Sequence, residues 1–170
     1  MSKLNLKISI TYLIGMALLL AGVVLAQEKK EKPEKDGEKR VSMKSLPAAV
    51  QQTAREHSQG AIIRGISKEV ENGQTTYEVE LKINGRTRDI TIAPDGTLLM
   101  AEEEVTLASL PAAARATIEK NLGQGKLLLV EAVTERGTLT YYEAHVQTGK
   151  KKSELKVKPD GQLMPEEKKK

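Results

Sequence analysis

Val41-Ser42-Met43-Lys44-Ser45-Leu46-Pro47-Ala48-Ala49 returns further along the chain as Val105-Thr106-Leu107-Ala108-Ser109-Leu110-Pro111-Ala112-Ala113. Pro94-Asp95-Gly96-Thr97-Leu98 returns in the same way as Pro159-Asp160-Gly161-Gln162-Leu163. Two separate motifs recurring in the same order mean that one supersecondary unit was duplicated. The repeated residues are punctuation and core, and none of them is chemically reactive.

Within each copy the order of elements follows from residue type. Ser45 is placed to cap a helix, with Pro47 in its first turn, where a missing N–H costs nothing. Leu46, Val50 and Ala54 then recur at helical spacing and form one apolar stripe. Ser109, Pro111, Leu110, Ala114 and Ile118 repeat the plan. Asn72-Gly73 and Asn84-Gly85 read as tight hairpin turns, because both positions tolerate positive φ. Between them Tyr77, Val79, Leu81 and Ile83 alternate with Glu78, Glu80 and Lys82, the pattern of a half-buried antiparallel strand. Arg88, Ile90 and Ile92 alternate with Thr87, Asp89 and Thr91, and Thr97 to Glu103 supplies a fourth strand. The second copy runs from a strand at Lys126 to Glu135, through Arg136-Gly137, to a strand with Tyr142, Ala144 and Val146 inward and Glu143 and His145 outward. It closes on Leu155 and Val157, Pro159-Asp160-Gly161 and a strand cut short by Pro165.

The expected fold class is therefore α+β, with two tandem repeats, each one helix packed on an antiparallel meander sheet of three to four strands. The expected boundaries are a signal peptide over 1–26, a disordered charged linker over 27–40, repeat 1 over 41–104, repeat 2 over 105–165 and a charged tail over 166–170. A unit of this size buries only about 60% of its unfolded surface and is marginal alone, so the two copies are expected to lie side by side or pack closely.

The ends of the chain speak to location. Met1 to Lys7 carries two lysines and no acid, and Ile8 to Ala26 is almost wholly apolar. The run closes on Val24-Leu25-Ala26, a small-residue pattern suited to signal peptidase, so cleavage before Gln27 and a periplasmic or secreted mature chain are expected. An uncleaved anchor is the competing reading. Gln27 to Arg40 holds no large apolar residue and cannot offset its ordering entropy, which makes it a solvated spacer.

Composition removes several function classes. The chain has no cysteine, so neither disulfides nor thiol chemistry are available. Its formal charge of +4 is shared with the leader through Lys3 and Lys7, leaving too small a bias for nucleic acid. Four tyrosines are its only aromatic residues, which leaves few of the anchors that dominate tight interfaces. No serine is matched to a base and an orienting partner. His145 and Glu143 fall short of the three or four ligands a metal needs, and His57 reads as a helix C-terminal residue facing the dipole. Glu102-Glu103-Glu104 reads as a solvated connector between the copies. Lys150, Lys151, Lys152, Lys156 and Lys158 make the distal hairpin basic, which protects an edge strand and allows weak contact with an anionic membrane surface.

The ordered set Leu46-Pro47, Tyr77-Glu78-Val79 and Asp95-Gly96, with Leu110-Pro111, Tyr142-Glu143-Ala144 and Asp160-Gly161 in the second copy, resembles the PepSY-like group of bacterial envelope domains. Those domains are related in shape to tandem β-lactamase-inhibitor-type modules. The resemblance implies a helix over an antiparallel sheet, export, no catalytic machinery and no cofactor. It also implies binding to another envelope or secreted protein, a peptidase among the options. The polar sheet face, with Glu78, Glu80, Glu143 and His145, is the expected binding face, and it lacks the aromatic cluster that an inhibitor-type concave surface uses. The resulting expectation is an exported, non-enzymatic protein-binding module with no small-molecule substrate, no catalytic residue and no metal. The alternative is a stalked envelope scaffold or stress-sensing component acting at the membrane surface.

Overall fold

The computed structural model describes residues 38–165. The leader expected over 1–26, the linker up to residue 37 and the tail over 166–170 lie outside the described residues. Among the described residues no helix is long and apolar enough to cross a membrane.

The strands are β1 (Glu38–Arg40), β2 (Ile62–Glu71), β3 (Gln74–Ile83), β4 (Arg86–Ile92), β5 (Leu98–Glu104), β6 (Lys126–Glu135), β7 (Thr138–Thr148) and β8 (Lys151–Val157). The helices are α1 (Ala48–His57) and α2 (Ala112–Asn121), each preceded by a short 3-10 turn, Met43–Ser45 and Leu107–Ser109. All eight strands form one antiparallel sheet in chain order.

This corrects the expectation of two tandem helix-plus-sheet repeats. The two halves do not own separate meanders, because β5 pairs with β6 from Met100↔Glu135 to Glu104↔Glu131 and makes the sheet continuous. Arg136 N–H donates to the Leu99 carbonyl at 2.9 Å, and the Thr134 hydroxyl donates to the Ala101 carbonyl at 3.1 Å, across the same seam. The physical reason is edge chemistry. Two separate sheets would each expose a row of unpaired N–H and C=O groups at this boundary, and pairing removes both rows. The fourth strand expected over Thr97 to Glu103 is β5, and Glu102-Glu103-Glu104, also read as a solvated connector, is its end. The last residues of the expected linker, Glu38–Arg40, are likewise strand β1, paired with Ser67 to Glu69.

Both helices lie on one face of the sheet. Leu46, Val50 and Ala54 pack with Ile66, Tyr77, Val79, Leu81, Ile90, Ile92 and Ala101. Leu110, Ala114 and Ile118 pack with Val130, Tyr142, Ala144 and Val157. Register joins the two clusters on one side, because Ala101 pairs with Thr134, which shares its face of β6 with Ala132 and Val130. Fully buried side chains such as Val79, Ile90 and Ile118 each contribute about 1.5–3 kcal/mol of transfer free energy.

The helix starts differ from the expected capping. Ser45 belongs to the 3-10 turn and its hydroxyl donates to the Ser42 carbonyl at 2.7 Å, while Pro47 occupies the cap position and the helix begins at Ala48. The Pro-Asp-Gly turns bind the helices to the sheet. Thr53 Oγ1 donates to the Gly96 carbonyl at 2.7 Å, and Thr117 Oγ1 donates to the Gly161 carbonyl at 2.8 Å. Beyond Gly161 the expected last strand is reduced to a single bridge between Val157 and Leu163.

Candidate functional site: an acidic open face

With both helices on one side, alternation sends every second strand residue to the other side. The cross-strand partners there form rows that can be followed from strand to strand. One row runs Glu80, Asp89, Glu102 across β3, β4 and β5, and continues to Val133 and Tyr141 on β6 and β7. The next runs Glu104, Glu131, Glu143 across β5, β6 and β7, and ends at Lys156 on β8. Glu78 stands beside the first row, between Ser67 and Thr91. His145 stands beside the second, opposite Glu154.

Like charges directly opposite each other on neighbouring strands destabilise a sheet. Two rows of three acids are therefore a cost carried by a protein whose net charge is +4. Register also puts Arg40, Lys82, Lys152 and Lys156 on this face, toward its edges.

The structure places the four expected face residues as follows. Glu78 and Glu80 share the face on β3, and Glu143 and His145 share it on β7. The face is less wet than expected at its second row. Glu143 is 8% exposed and Glu131 is 7% exposed, with His145 against both and Lys156 against Glu143. Val133 is fully buried and Tyr141 is nearly so, yet neither belongs to a helix-covered cluster, so they form a small apolar patch on the open face. The Lys156 ammonium sits 5.2 Å from the centre of the Tyr141 ring.

Crowding shows in the titration behaviour. Burial, then the charges of Asp89 and Glu69, push the Glu78 carboxyl up to about 8. Burial, then Glu131, Glu143 and Asp89, push Glu102 up to about 7. Burial and Glu154 raise Glu143, with Lys156 and His145 pulling the other way. The hydrogen bond to Glu131 raises His145, against its own burial.

Local contacts hold the rows in place. Arg40 on β1 crosses Gly65 to reach Glu80 at 3.4 Å, and a Cβ at Gly65 would collide with its guanidinium. The Thr87 N–H and hydroxyl donate to Glu104 Oε2 at 2.9 and 3.2 Å. His145 Nε2 lies 2.9 Å from Glu131 Oε2 and 3.5 Å from Glu143 Oε1. Lys156 Nζ lies 3.6 Å from Glu143 Oε2.

Sequence reasoning missed Asp89, Glu102, Glu104, Glu131 and Glu154 as members of the site. Asp89 carried a usable signal in the Thr87-Asp89-Thr91 alternation. Glu131 carried little, because Leu127-Leu128-Leu129-Val130 is apolar on both sides of β6 and hides the period of two.

No protein-family profile matches the chain, and no curated protein matches it. Several solved structures do. A candidate periplasmic protein from Bacteroides eggerthii is 19% identical with a TM-score of 0.58, covering 71% of this chain and 86% of its own. A DUF2874 family protein from Bacteroides uniformis is 16% identical with a TM-score of 0.57, covering 71% and 87%. A BLIP-like protein from Bacteroides fragilis is 21% identical with a TM-score of 0.53, covering 72% and 85%. At such identities the likeness is one of fold. It bears on the inhibitor-type shape in the resemblance drawn from the sequence and not on its PepSY-like part.

Proposed function

We propose that this chain is an exported, non-enzymatic binding module, and that its open sheet face holds a cationic segment of another envelope or secreted protein. The observation that carries this reading is the pair of directly opposed acid rows, Glu80–Asp89–Glu102 and Glu104–Glu131–Glu143. Arg40, His145 and Lys156 offset part of the repulsion within these rows, and a basic partner would relieve more of it; charge complementarity of this kind gives specificity and fast association. Tyr141, 7% exposed where the first row ends, offers a narrow apolar footing for the stem of a lysine or arginine, with its cross-strand partner Val133 fully buried. Export rests on the basic, apolar and small-residue order of Met1 to Ala26, and likeness in fold to a candidate periplasmic protein supports it.

The experiment is affinity capture on the immobilised mature chain, beginning at Gln27, from an envelope extract. It is run beside a variant carrying Glu78→Gln, Glu102→Gln and Glu143→Gln. The reading predicts a basic protein retained by the native chain, lost from the variant and released by salt. Equal retention on both would overturn it.

A further inference from the structure

The far end of the second acid row has a composition that the rest of the face lacks. His145 and Glu143 stand on β7 two residues apart, hence on one side, and Glu154 of β8 is the cross-strand partner of His145. One ligand-type atom from each of Glu143, His145 and Glu154 lies within 4.8 Å of the other two. Glu131, the cross-strand partner of Glu143, brings a further carboxylate oxygen to 2.9 Å from His145 Nε2. Strands β7 and β8 thus bring one imidazole and two carboxylates together, and Glu131 on β6 sets a third carboxylate against the imidazole.

We propose that Glu131, Glu143, His145 and Glu154 form a binding site for a divalent transition-metal ion of the zinc class. The donor set selects the metal. Calcium and magnesium take oxygen ligands, whereas an imidazole nitrogen with carboxylate oxygens suits zinc. Glu143, His145 and Glu154 supply three of the four tetrahedral positions that zinc prefers, and Glu131 is the nearest further donor for the fourth, with metal–ligand bonds of about 2.0–2.2 Å. Ligand atoms around such an ion are roughly 3.3 Å apart. The ligand atoms of Glu143, His145 and Glu154 lie within 4.8 Å of one another, so side-chain rotation on the fixed strands has to close the remaining distance. The His145 side chain is 31% exposed, which leaves an entry path, while those of Glu131 and Glu143 are 9% and 10% exposed and so are held in place. Binding needs Nε2 without a proton, so any proton there is released to solvent, and Nε2 and Glu131 Oε2 turn to the ion. Lys156, 3.6 Å from Glu143, is the competing cation that must swing aside. This site shares Glu131 and Glu143 with the protein-binding reading but does not rest on it, since zinc uptake is measured with no partner present.

The test is calorimetric titration of untagged mature chain with zinc chloride, with calcium and magnesium chloride in parallel. The native chain is expected to take up one zinc ion and neither of the others at comparable affinity. His145→Gln is expected to weaken zinc binding tenfold or more, and His57→Gln to leave it unchanged. The chain has only two histidines, so a second reading is clean: in NMR spectra of the native chain, zinc should shift the His145 ring nitrogens and not those of His57. No stoichiometric zinc uptake, native-like binding by His145→Gln, or equal affinity for calcium would each overturn the proposal.

Discussion

His145 Nε2 lies 2.9 Å from Glu131 Oε2, and this single contact reaches from β7 back to β6 on the open face. The bond favours the charged imidazolium and holds the His145 pKa above its ordinary value of 6.5. A His raised by folding adds stability below its unfolded pKa, and that stability fades as pH rises through the folded value. Glu131→Gln should return His145 toward 6.5, as followed by NMR titration of the ring protons. An unmoved midpoint in that variant would show that Glu131 does not hold the proton.

Glu78 has linkage of the same sign. Its pKa rises from 4.5 to about 8 in the folded chain, so the native state holds a proton that the unfolded state has released. Stability therefore falls as pH climbs through that window. Glu78→Gln should leave stability at about pH 5 little changed and raise it at about pH 9 by roughly 1–2 kcal/mol, a figure reduced for solvent screening. Urea unfolding of both proteins at the two pH values decides the matter, and a variant that loses stability at high pH contradicts it.

Gly96 and Gly161 are bound to their helices in the same way. Gly96 has φ +90, and an added Cβ would lie 2.9 Å from Ala49 Cβ and 3.0 Å from the Ala49 carbonyl oxygen. Gly161 has φ +89, and an added Cβ would lie 2.9 Å from the Ala113 carbonyl oxygen. Strain and close approach together make Gly96→Ala and Gly161→Ala each cost about 2 kcal/mol or more. Thr53→Val and Thr117→Val, which remove only the hydroxyl bonds to these turns, should each cost about 1 kcal/mol. Thermal unfolding of the four variants would rank them, and alanine variants as stable as the native chain would mean that the helices do not press on the turns.

Tyr77 and Tyr142 anchor the two helix-covered clusters from β3 and β7. Tyr77→Ala and Tyr142→Ala should each cost about 3–5 kcal/mol, the range for a truncated core aromatic. Tyr141 is equally buried but lies on the acidic side, against Lys156. Its replacement by Leu should preserve most of the stability and weaken partner capture. Similar binding by Tyr141→Leu and the native chain would remove the apolar footing from the account.

Much of the fold was legible because it depends on local chemistry. Asn72, Asn84 and Arg136, each followed by glycine, take positive φ at the turns where the sequence placed them. Leu46, Val50 and Ala54 are buried as one helical stripe, and Tyr77, Val79 and Leu81 as one strand face. The 3-10 turns escaped notice because Ser45 and Ser109 precede Leu-Pro in the same way whether they cap a helix or close a tight turn.

The single sheet was not legible. Nothing local in Met100 to Glu104 states that these residues pair with Glu131 to Glu135, and a run of glutamates reads more readily as linker than as strand. The candidate site was half legible for the same reason. Alternation exposed Glu78, Glu80, Glu143 and His145, but the rows exist only once register sets Glu80 against Asp89 and Glu131 against Glu143. Glu154 was hidden among the lysines of β8.

The central claim is that the open acidic face, and not the helix side, is where this protein meets a cation-bearing partner. Backbone NMR of the mature chain, titrated with a short lysine-rich peptide at about pH 6 and about pH 8, tests it most directly. The account predicts shifts confined to the strands around Glu80, Glu102, Glu131 and Glu143. It also predicts tighter binding at the higher pH, as Glu78 and Glu102 lose their protons. Shifts centred on α1 and α2, or binding that weakens as pH rises, would contradict it.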